Sequence, residues 1–279
     1  MIELSGKEYR NKYLPILKEK VSKLDRKLGL VVIQVGNDEA SNVYVEQKGK
    51  RALELGYNFE HKKFEENVSE EDVIKYIEEK NNDDMTDGII VQLPLPSHLN
   101  SSKIVNAITP LKDVDGLTYY NAGHLMANEV ALLPCTPKGI IALLDEYNIE
   151  LEGKNVVVIG RSLLVGKPVA NLFINRNATV TLCHSKTKDV GMYTRNADIV
   201  VVAIGKAHFL KEDMVKDDAV VIDVGLSRID GKLQGDVDFA NVSKKCSYIT
   251  PVPGGVGPMT VYELMNNVYL AHNLRKKVS

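Results

Sequence analysis

Tyr44 and Lys48 stand four residues apart in the run Ala40-Ser-Asn-Val-Tyr-Val-Glu-Gln-Lys48. On a helix that spacing places an aromatic ring and an amine on one face, one turn apart. Most Tyr-x-x-x-Lys pairs are ordinary surface residues, so the pair gains meaning only if other groups converge on it. Ile89-Ile-Val-Gln92-Leu-Pro-Leu-Pro96 supplies one, a polar Gln at the carboxyl end of an apolar strand pattern. Ligands of open α/β sheets bind outside that edge, although a Gln there can also simply cap local backbone groups. Lys112-Asp-Val-Asp115-Gly116-Leu117 supplies a carboxylate beside glycine, which is either a ligand acceptor or a plain Asp-Gly turn. His61, His124, His184 and His208 show no metal-ligand spacing and read as structural or surface residues, so no metal site is expected.

The second half carries a different chemistry. Val156-Val-Val-Ile-Gly160-Arg-Ser-Leu-Leu-Val-Gly166-Lys-Pro-Val-Ala reads as strand, glycine turn, helix, the context of a dinucleotide fingerprint. Ser162 replaces the second glycine of the usual form and Gly166 comes late. A phosphate-binding P-loop is a poor match, because five residues separate Gly160 from Gly166 and Pro168 stands where Ser or Thr would hold magnesium. The competing reading is a βα turn whose glycines serve packing alone. The next strand end helps to choose. An NAD site usually has an acid there for the ribose hydroxyls, but Cys183-His-Ser185-Lys-Thr-Lys188 contains none. Ser185 together with Arg161 suits a ribose bearing an extra phosphate, which a guanidinium binds through two parallel hydrogen bonds. Lys186 and Lys188 read as a solvated loop.

Stepping along the chain, short apolar runs alternate with helical patterns. Strands are predicted at 28–35, 57–64, 88–92, 155–159, 179–183, 199–203 and 219–223, several of them unbroken Val/Ile runs of the kind buried in parallel sheets. Helices are predicted at 7–27, 40–55, 69–80, 137–147, 166–175 and 259–275. The βαβα order predicts doubly wound α/β architecture. Asp, Gly, Thr and Asn interrupt the pattern near 113–123, where a break between halves is expected.

Composition narrows the function classes. Lys+Arg 35 against Asp+Glu 37 gives a formal charge of -2, so neither nucleic acid nor an anionic membrane is expected as partner. Cys135, Cys183 and Cys246 form neither a metal pair nor a disulfide framework, which fits a reducing cytoplasm. The first residues lack a basic region followed by an apolar core, and no apolar run approaches the ~18 residues of a membrane span. A soluble, cytoplasmic protein is expected.

The run Thr250-Pro-Val-Pro-Gly-Gly-Val-Gly-Pro-Met-Thr260 packs three prolines and three glycines immediately before an apolar helix pattern. Such a loop is stiff and poor in side chains, with free amides near a positive dipole end. On its own it could be a rigid interdomain turn. The whole string, however, resembles a signature of the methylenetetrahydrofolate dehydrogenase/cyclohydrolase family. Tyr44/Lys48, Val91–Pro96, Lys112–Leu117, Pro134–Gly139, Gly160–Ser162 and Pro253–Thr260 resemble that family's motifs and occur in its order. They span most of the chain, and the departure at Ser162 is the family's own form.

The resemblance implies two α/β domains, the second Rossmann-like, with a cleft between them. Residues 1–118 plus 261–279 are expected to form a substrate domain and 119–260 an NADP-binding domain. It implies oxidation of methylenetetrahydrofolate by NADP, then hydrolysis of the methenyl cation to formyltetrahydrofolate, in a homodimer. Lys48, Tyr44, Gln92 and Asp115 are the implied catalytic residues. Gly160, Arg161, Ser162, Ser185 and Leu226 are implied to bind cofactor. Tyr44, Gln92, Leu93, Asp115 and the backbone of Pro253, Gly254, Gly255, Val256 and Gly257 are implied to meet the folate. In this scheme Gln92 orients Lys48, and Asp115 accepts hydrogen bonds from the amide–amidine edge of the pterin.

Electrostatics constrains Lys48. An ammonium ~4 Å from the developing methenyl cation, at an effective dielectric near 20, would oppose it by about 4 kcal/mol. That is roughly a thousandfold in rate. Lys48 is therefore expected to be neutral when hydride leaves, and then able to help activate water. Two rival readings are another two-domain NAD(P) dehydrogenase and a catalytically silent nucleotide-binding module. The short-chain dehydrogenases, which share Tyr-x-x-x-Lys, place that pair after the nucleotide motif; here it comes first.

Overall fold

The computed structural model describes residues 1–229 and 231–278; residues 230 and 279, inside the domain ranges expected above, lie outside the described residues. From the N-terminus come β1 (Ile2–Glu3), α1 (Gly6–Ser22), β2 (Gly29–Val35), α2 (Glu39–Glu54), β3 (Asn58–Phe64) and α3 (Glu70–Asn81). There follow β4 (Gly88–Val91), α4 (Ser101–Asn106), α5 (Tyr119–Met126), α6 (Cys135–Glu146), β5 (Asn155–Ile159) and α7 (Gly166–Asn175). Next are β6 (Thr179–Cys183), α8 (Gly191–Thr194), β7 (Ile199–Val202), β8 (Val220–Asp223), β9 (Ser227–Ile229) and β10 (Lys232–Gln234). Last are α9 (Phe239–Val242), β11 (Tyr248–Ile249) and α10 (Val256–Val278).

The chain forms two compact units. One contains Tyr13–Cys135 and the segment from Val261 onward. Its parallel sheet runs β3-β2-β4. Every residue of the central strand β2 is buried, as its Leu-Val-Val-Ile core dictates, whereas the edge strand β3 (Asn-Phe-Glu-His-Lys-Lys-Phe) has no fully buried residue. An isolated parallel bridge between Ile89 and Asp113 lays the Asp113 segment along the other side of β4. Ile33, Ile77, Ile89 and Ile104 lie in its apolar core.

The other unit contains Met1–Lys12 and Thr136–Thr260. Its six strands are all parallel, in the order β1-β11-β8-β7-β5-β6. β7 and β8, Ile-Val-Val-Val and Val-Val-Ile-Asp, are buried along their length, and their Val200, Val202 and Val221 share one core with Val157 of β5. A short antiparallel hairpin, β9 with β10, stands apart from the sheet.

The chain passes from one unit to the other at 260/261, as expected, but also at 12/13, and at 135/136 rather than near 113–123. Residues 119–135 belong with Tyr13–Cys135 because α5 is bonded to the loop before it. Asn121 Nδ2 donates to Asp113 Oδ2 at 2.8 Å and to the Pro110 carbonyl at 3.0 Å, and the Thr118 amide donates to Asp113 Oδ2 at 2.8 Å. The first residues belong with Thr136–Thr260 because β1 pairs in parallel with β11.

Candidate active site and cofactor site

In the first of these units the chain leaves the central β2 to one side for β3 and returns on the other for β4. The carboxyl ends of β2 and β4 therefore flank a topological switch point, where open α/β sheets hold ligands. α2 begins just beyond β2, with Asp38 as N-cap accepting the Ser41 amide at 2.8 Å. Tyr44 is exposed on this helix and Lys48 half-buried. Lys48 Nζ donates to Gln92 Oε1 at 2.9 Å. Gln92 continues the ladder of β4, its amide donating to the Ile33 carbonyl at 2.8 Å. Its Nε2 donates to the Leu93 carbonyl at 2.9 Å, which leaves the oxygen turned to Lys48. The two residues expected to act together are in direct contact.

Gln34 belongs to none of the sequence motifs. It lies 1% exposed near the end of β2 and donates to Asn42 Oδ1 at 2.8 Å, while its own oxygen sits 3.0 Å from His61 Nε2. This holds the first turn of α2 against the strand end. The readable signal was a lone amide in an otherwise apolar strand.

Asp115 projects from the loop beside β4. Parallel register from the Ile89–Asp113 bridge brings it level with Val91, one residue short of Gln92. It is half-buried, and among the described residues its carboxylate takes no hydrogen bond. Its neighbours are fully committed. Asp113 is buried and accepts from the Leu117 and Thr118 amides at 3.1 and 2.8 Å as well as from Asn121. Burial pushes its carboxyl upward in pKa, and those donors oppose the push. Lys112 caps the C-terminal end of α3, donating to the carbonyls of Lys80, Asn81 and Asp83 at 2.9, 2.7 and 2.7 Å. Burial pushes its ammonium down to about 8. Lys112 and Asp113 thus fold the loop that presents Asp115.

In the second unit the order reverses between β5 and β7, giving another switch point. Gly160 follows β5 with φ +118°, and a Cβ on it would lie 2.3 Å from the Ala203 carbonyl oxygen, so only glycine fits the turn. Its amide donates to the Cys183 carbonyl at 2.9 Å, bringing the ends of β5 and β6 together. Ser162 Oγ accepts the amides of Val165 and Gly166 at 3.1 and 3.3 Å, which fixes the turn leading into α7. Arg161 and Ser185 are exposed on the two joined strand ends, and among the described residues neither side chain is bonded within the chain. The first acid after β6, Asp189, accepts the Met192 amide at 3.2 Å and pairs with Arg195 at 3.4 Å, so it turns toward α8. Leu226 is 49% exposed just beyond β8. Pro253–Gly257 form the link from β11 into α10, with Gly255 and Val256 buried and Pro253 and Gly257 exposed.

A parallel sheet with a tight glycine turn at its switch point, and a free guanidinium beside it, defines a dinucleotide-binding α/β domain. A carboxylate, an amide and an amine meet the edge of the other sheet, which is the arrangement of an enzyme's substrate domain. The chain belongs to the tetrahydrofolate dehydrogenase/cyclohydrolase family. Residues 4–115 match the model of that family's catalytic domain and residues 134–276 that of its NAD(P)-binding domain. It is 50% identical over 283 residues to the bifunctional protein FolD of Aliarcobacter butzleri, covering 99% of this chain and 98% of that one. The crystal structure of the Campylobacter jejuni FolD methylenetetrahydrofolate dehydrogenase/cyclohydrolase superposes with a TM-score of 0.97 at 45% identity, covering 99% of each chain. The Trypanosoma brucei enzyme, solved with NADP cofactor and inhibitor, gives a TM-score of 0.94 at 34% identity, covering 99% of each chain.

Proposed function

We propose that this chain oxidises methylenetetrahydrofolate with NADP and hydrolyses the methenyl product to formyltetrahydrofolate, two consecutive steps of one-carbon folate metabolism. The observation that carries this reading is the 2.9 Å contact from Lys48 to Gln92 at the switch point of the folate unit. Asp115 supplies an unshared carboxylate for the pterin donors at the same sheet edge. Tyr44, exposed one turn before Lys48, offers a ring face for the folate.

Gly160 leaves backbone room at the strand end, and Arg161 with Ser185 would hold the 2′-phosphate of NADP. Bound NADP supplies the hydride acceptor. Lys48 must not oppose the cation that forms on the folate, so it acts as a neutral amine, donating one N–H to Gln92 and keeping a lone pair free. In the second step that lone pair takes a proton from water as the oxygen bonds to the methenyl carbon. One carbon–nitrogen bond of the ring then opens to leave the formyl group: the ammonium gives its proton to the departing ring nitrogen, and the hydroxyl proton leaves to solvent as the carbonyl forms, the one net proton of the hydrolysis.

A spectrophotometric assay with methylenetetrahydrofolate and either NADP or NAD tests this directly. Cofactor-dependent formation of the methenyl absorbance followed by its decay is expected; a chain that reduces NADP only with some other substrate would overturn the reading. Among the described residues no helix is long and apolar enough to cross a membrane. The family resemblance supports a cytoplasmic homodimer, which light scattering and cell fractionation test.

A further inference from the structure

Two carboxylates lie side by side in the cofactor unit, and the chemistry above uses neither. Asp223 ends β8 and Asp236 follows β10; they are 3% and 0% exposed. Asp223 Oδ1 accepts the amides of Gly225 and Asp236 at 3.0 and 2.9 Å, and its Oδ2 accepts that of Val237 at 2.9 Å. Asp236 Oδ2 accepts the amides of Ile204 and Gly205 at 2.7 and 2.9 Å. The backbone closes directly on the pair. A Cβ on Gly225 would lie 2.1 Å from Asp236 Cγ, and one on Gly235 would lie 1.9 Å from Asp223 Oδ2.

Burying two carboxylates is unfavourable by several kcal/mol each unless polar groups replace water. Here five backbone amides do so for three of the four oxygens, drawn from the segments 204–205, 225 and 236–237. The first two matter for location. Ile204 and Gly205 directly follow β7, and the Ala203 carbonyl before them is the atom against which Gly160 packs. Gly225 precedes Leu226 beyond β8. Neither segment has regular secondary structure of its own, and these side-chain acceptors take its amides. Two amides converging on one oxygen need a strong acceptor, which a carboxylate is and an apolar side chain is not.

We propose that Asp236, braced by Asp223, is a positioning residue of the cofactor site, holding the segments after β7 and β8 in their binding conformation before NADP arrives. A loop that must be ordered on binding weakens affinity by the ordering free energy, and the carboxylate pair removes that term. The inference rests on the switch point between β5 and β7 being the NADP site.

Calorimetric titration of NADP and of a folate ligand into wild type, Asp236→Asn and Asp236→Ala tests it. Asn retains one oxygen for the Ile204 and Gly205 amides, and its nitrogen replaces Oδ1, which has no partner among the described residues. Asn is expected to keep the NADP Kd within about threefold of wild type and Ala to raise it by about tenfold or more, with the folate Kd moving less than about threefold in both. Wild-type NADP affinity in the Ala variant, equal weakening of both ligands, or an Asn variant as weak as Ala would each overturn the proposal. Failure of the wild type to bind NADP would overturn the cofactor reading and this one together. Should the Ala variant not fold, hydrogen exchange on the wild type decides. The amides of Ile204 and Gly205 are expected to be protected without cofactor; fast exchange until NADP is added contradicts the proposal.

Discussion

Lys48 Nζ donates to Gln92 Oε1 at 2.9 Å, joining the middle of α2 to the carboxyl end of β4. The amide cannot turn its nitrogen to Lys48 without losing the Leu93 carbonyl, so it is fixed as an acceptor. An acceptor holds one N–H of a neutral amine and points its lone pair elsewhere. Gln92→Leu removes that constraint at a half-buried site. Methenyl hydrolysis is expected to fall by about tenfold or more in kcat, with KM for the folate changed far less. A fall confined to KM would make Gln92 a binding contact only.

Lys48→Met keeps the aliphatic stem and deletes the amine. If the amine is the general base, methenyl hydrolysis falls by on the order of a hundredfold or more, while circular dichroism and the melting temperature stay near wild type. Near-normal hydrolysis in a folded variant would remove Lys48 from the mechanism.

Asp115→Ala tests the pterin contact. Its carboxylate holds up no part of its own loop, since Lys112 and Asp113 make the structural bonds, so folding is expected to survive. Losing a charged hydrogen-bond partner weakens folate binding by about 1.5–3 kcal/mol, or tenfold and more, with NADP binding almost unchanged. Equal losses for both ligands in a titration would mark Asp115 as a turn residue.

Both sheets were legible from their central strands. Runs such as Val156–Ile159 and Ile199–Val202 are buried on both faces, and burial of that kind writes itself into composition. Part of what escaped was set by long-range partners. β1 and β11 have two residues each and exist only because they pair with one another and with β8. The break expected near 113–123 is instead a bonded corner, where Asp113 gathers donors from Leu117, Thr118 and Asn121. A polar run scores as a linker whether its groups face water or each other. The site shows the same divide. Lys48 and Gln92 were readable as motifs, whereas the buried Asp223 and Asp236 pair becomes visible only once the segments they bond to are folded around them.

Arg161 stands directly after Gly160, and no acid occupies the loop after β6 until Asp189, which is engaged with α8. Arg161→Ala is expected to raise KM for NADP and scarcely change that for NAD. A charge-assisted pair is worth about 1.5–3 kcal/mol, so discrimination shrinks by roughly ten- to a hundredfold. The wild-type preference should also weaken with added salt, because an exposed pair is screened. If both cofactors suffer alike, Arg161 is a general pyrophosphate contact.

Burial, reinforced by Asp236, pushes the Asp223 carboxyl from 3.8 up to about 6, against its three backbone donors. A carboxyl that binds its proton more tightly when folded favours folding most below its unfolded value. That stability is lost as pH rises through the folded one. The full swing is about 3 kcal/mol. Asp87, held low by Arg26, the Gly29 amide and His272 against its burial, acts in the opposite sense, so the overall curve is a sum. Asp223→Asn isolates the term. Whatever the variant's absolute stability, it should gain on wild type between about pH 4 and pH 7 in urea denaturation. A pH-independent difference would rule out this titration.

The bond from the Gln92 amide to the Ile33 carbonyl sets a rule for how the gene can change length. Side chains alternate along a strand, so inserting or deleting one codon within Gly88–Val91 would swing Gln92 away from Lys48 and bury a polar amide where Val91 now packs. The exposed turn between β3 and α3 is under no such parity constraint. Natural variation in length should therefore collect in that turn, while β4 admits exchange among Ile, Val and Leu but no one-residue change in length.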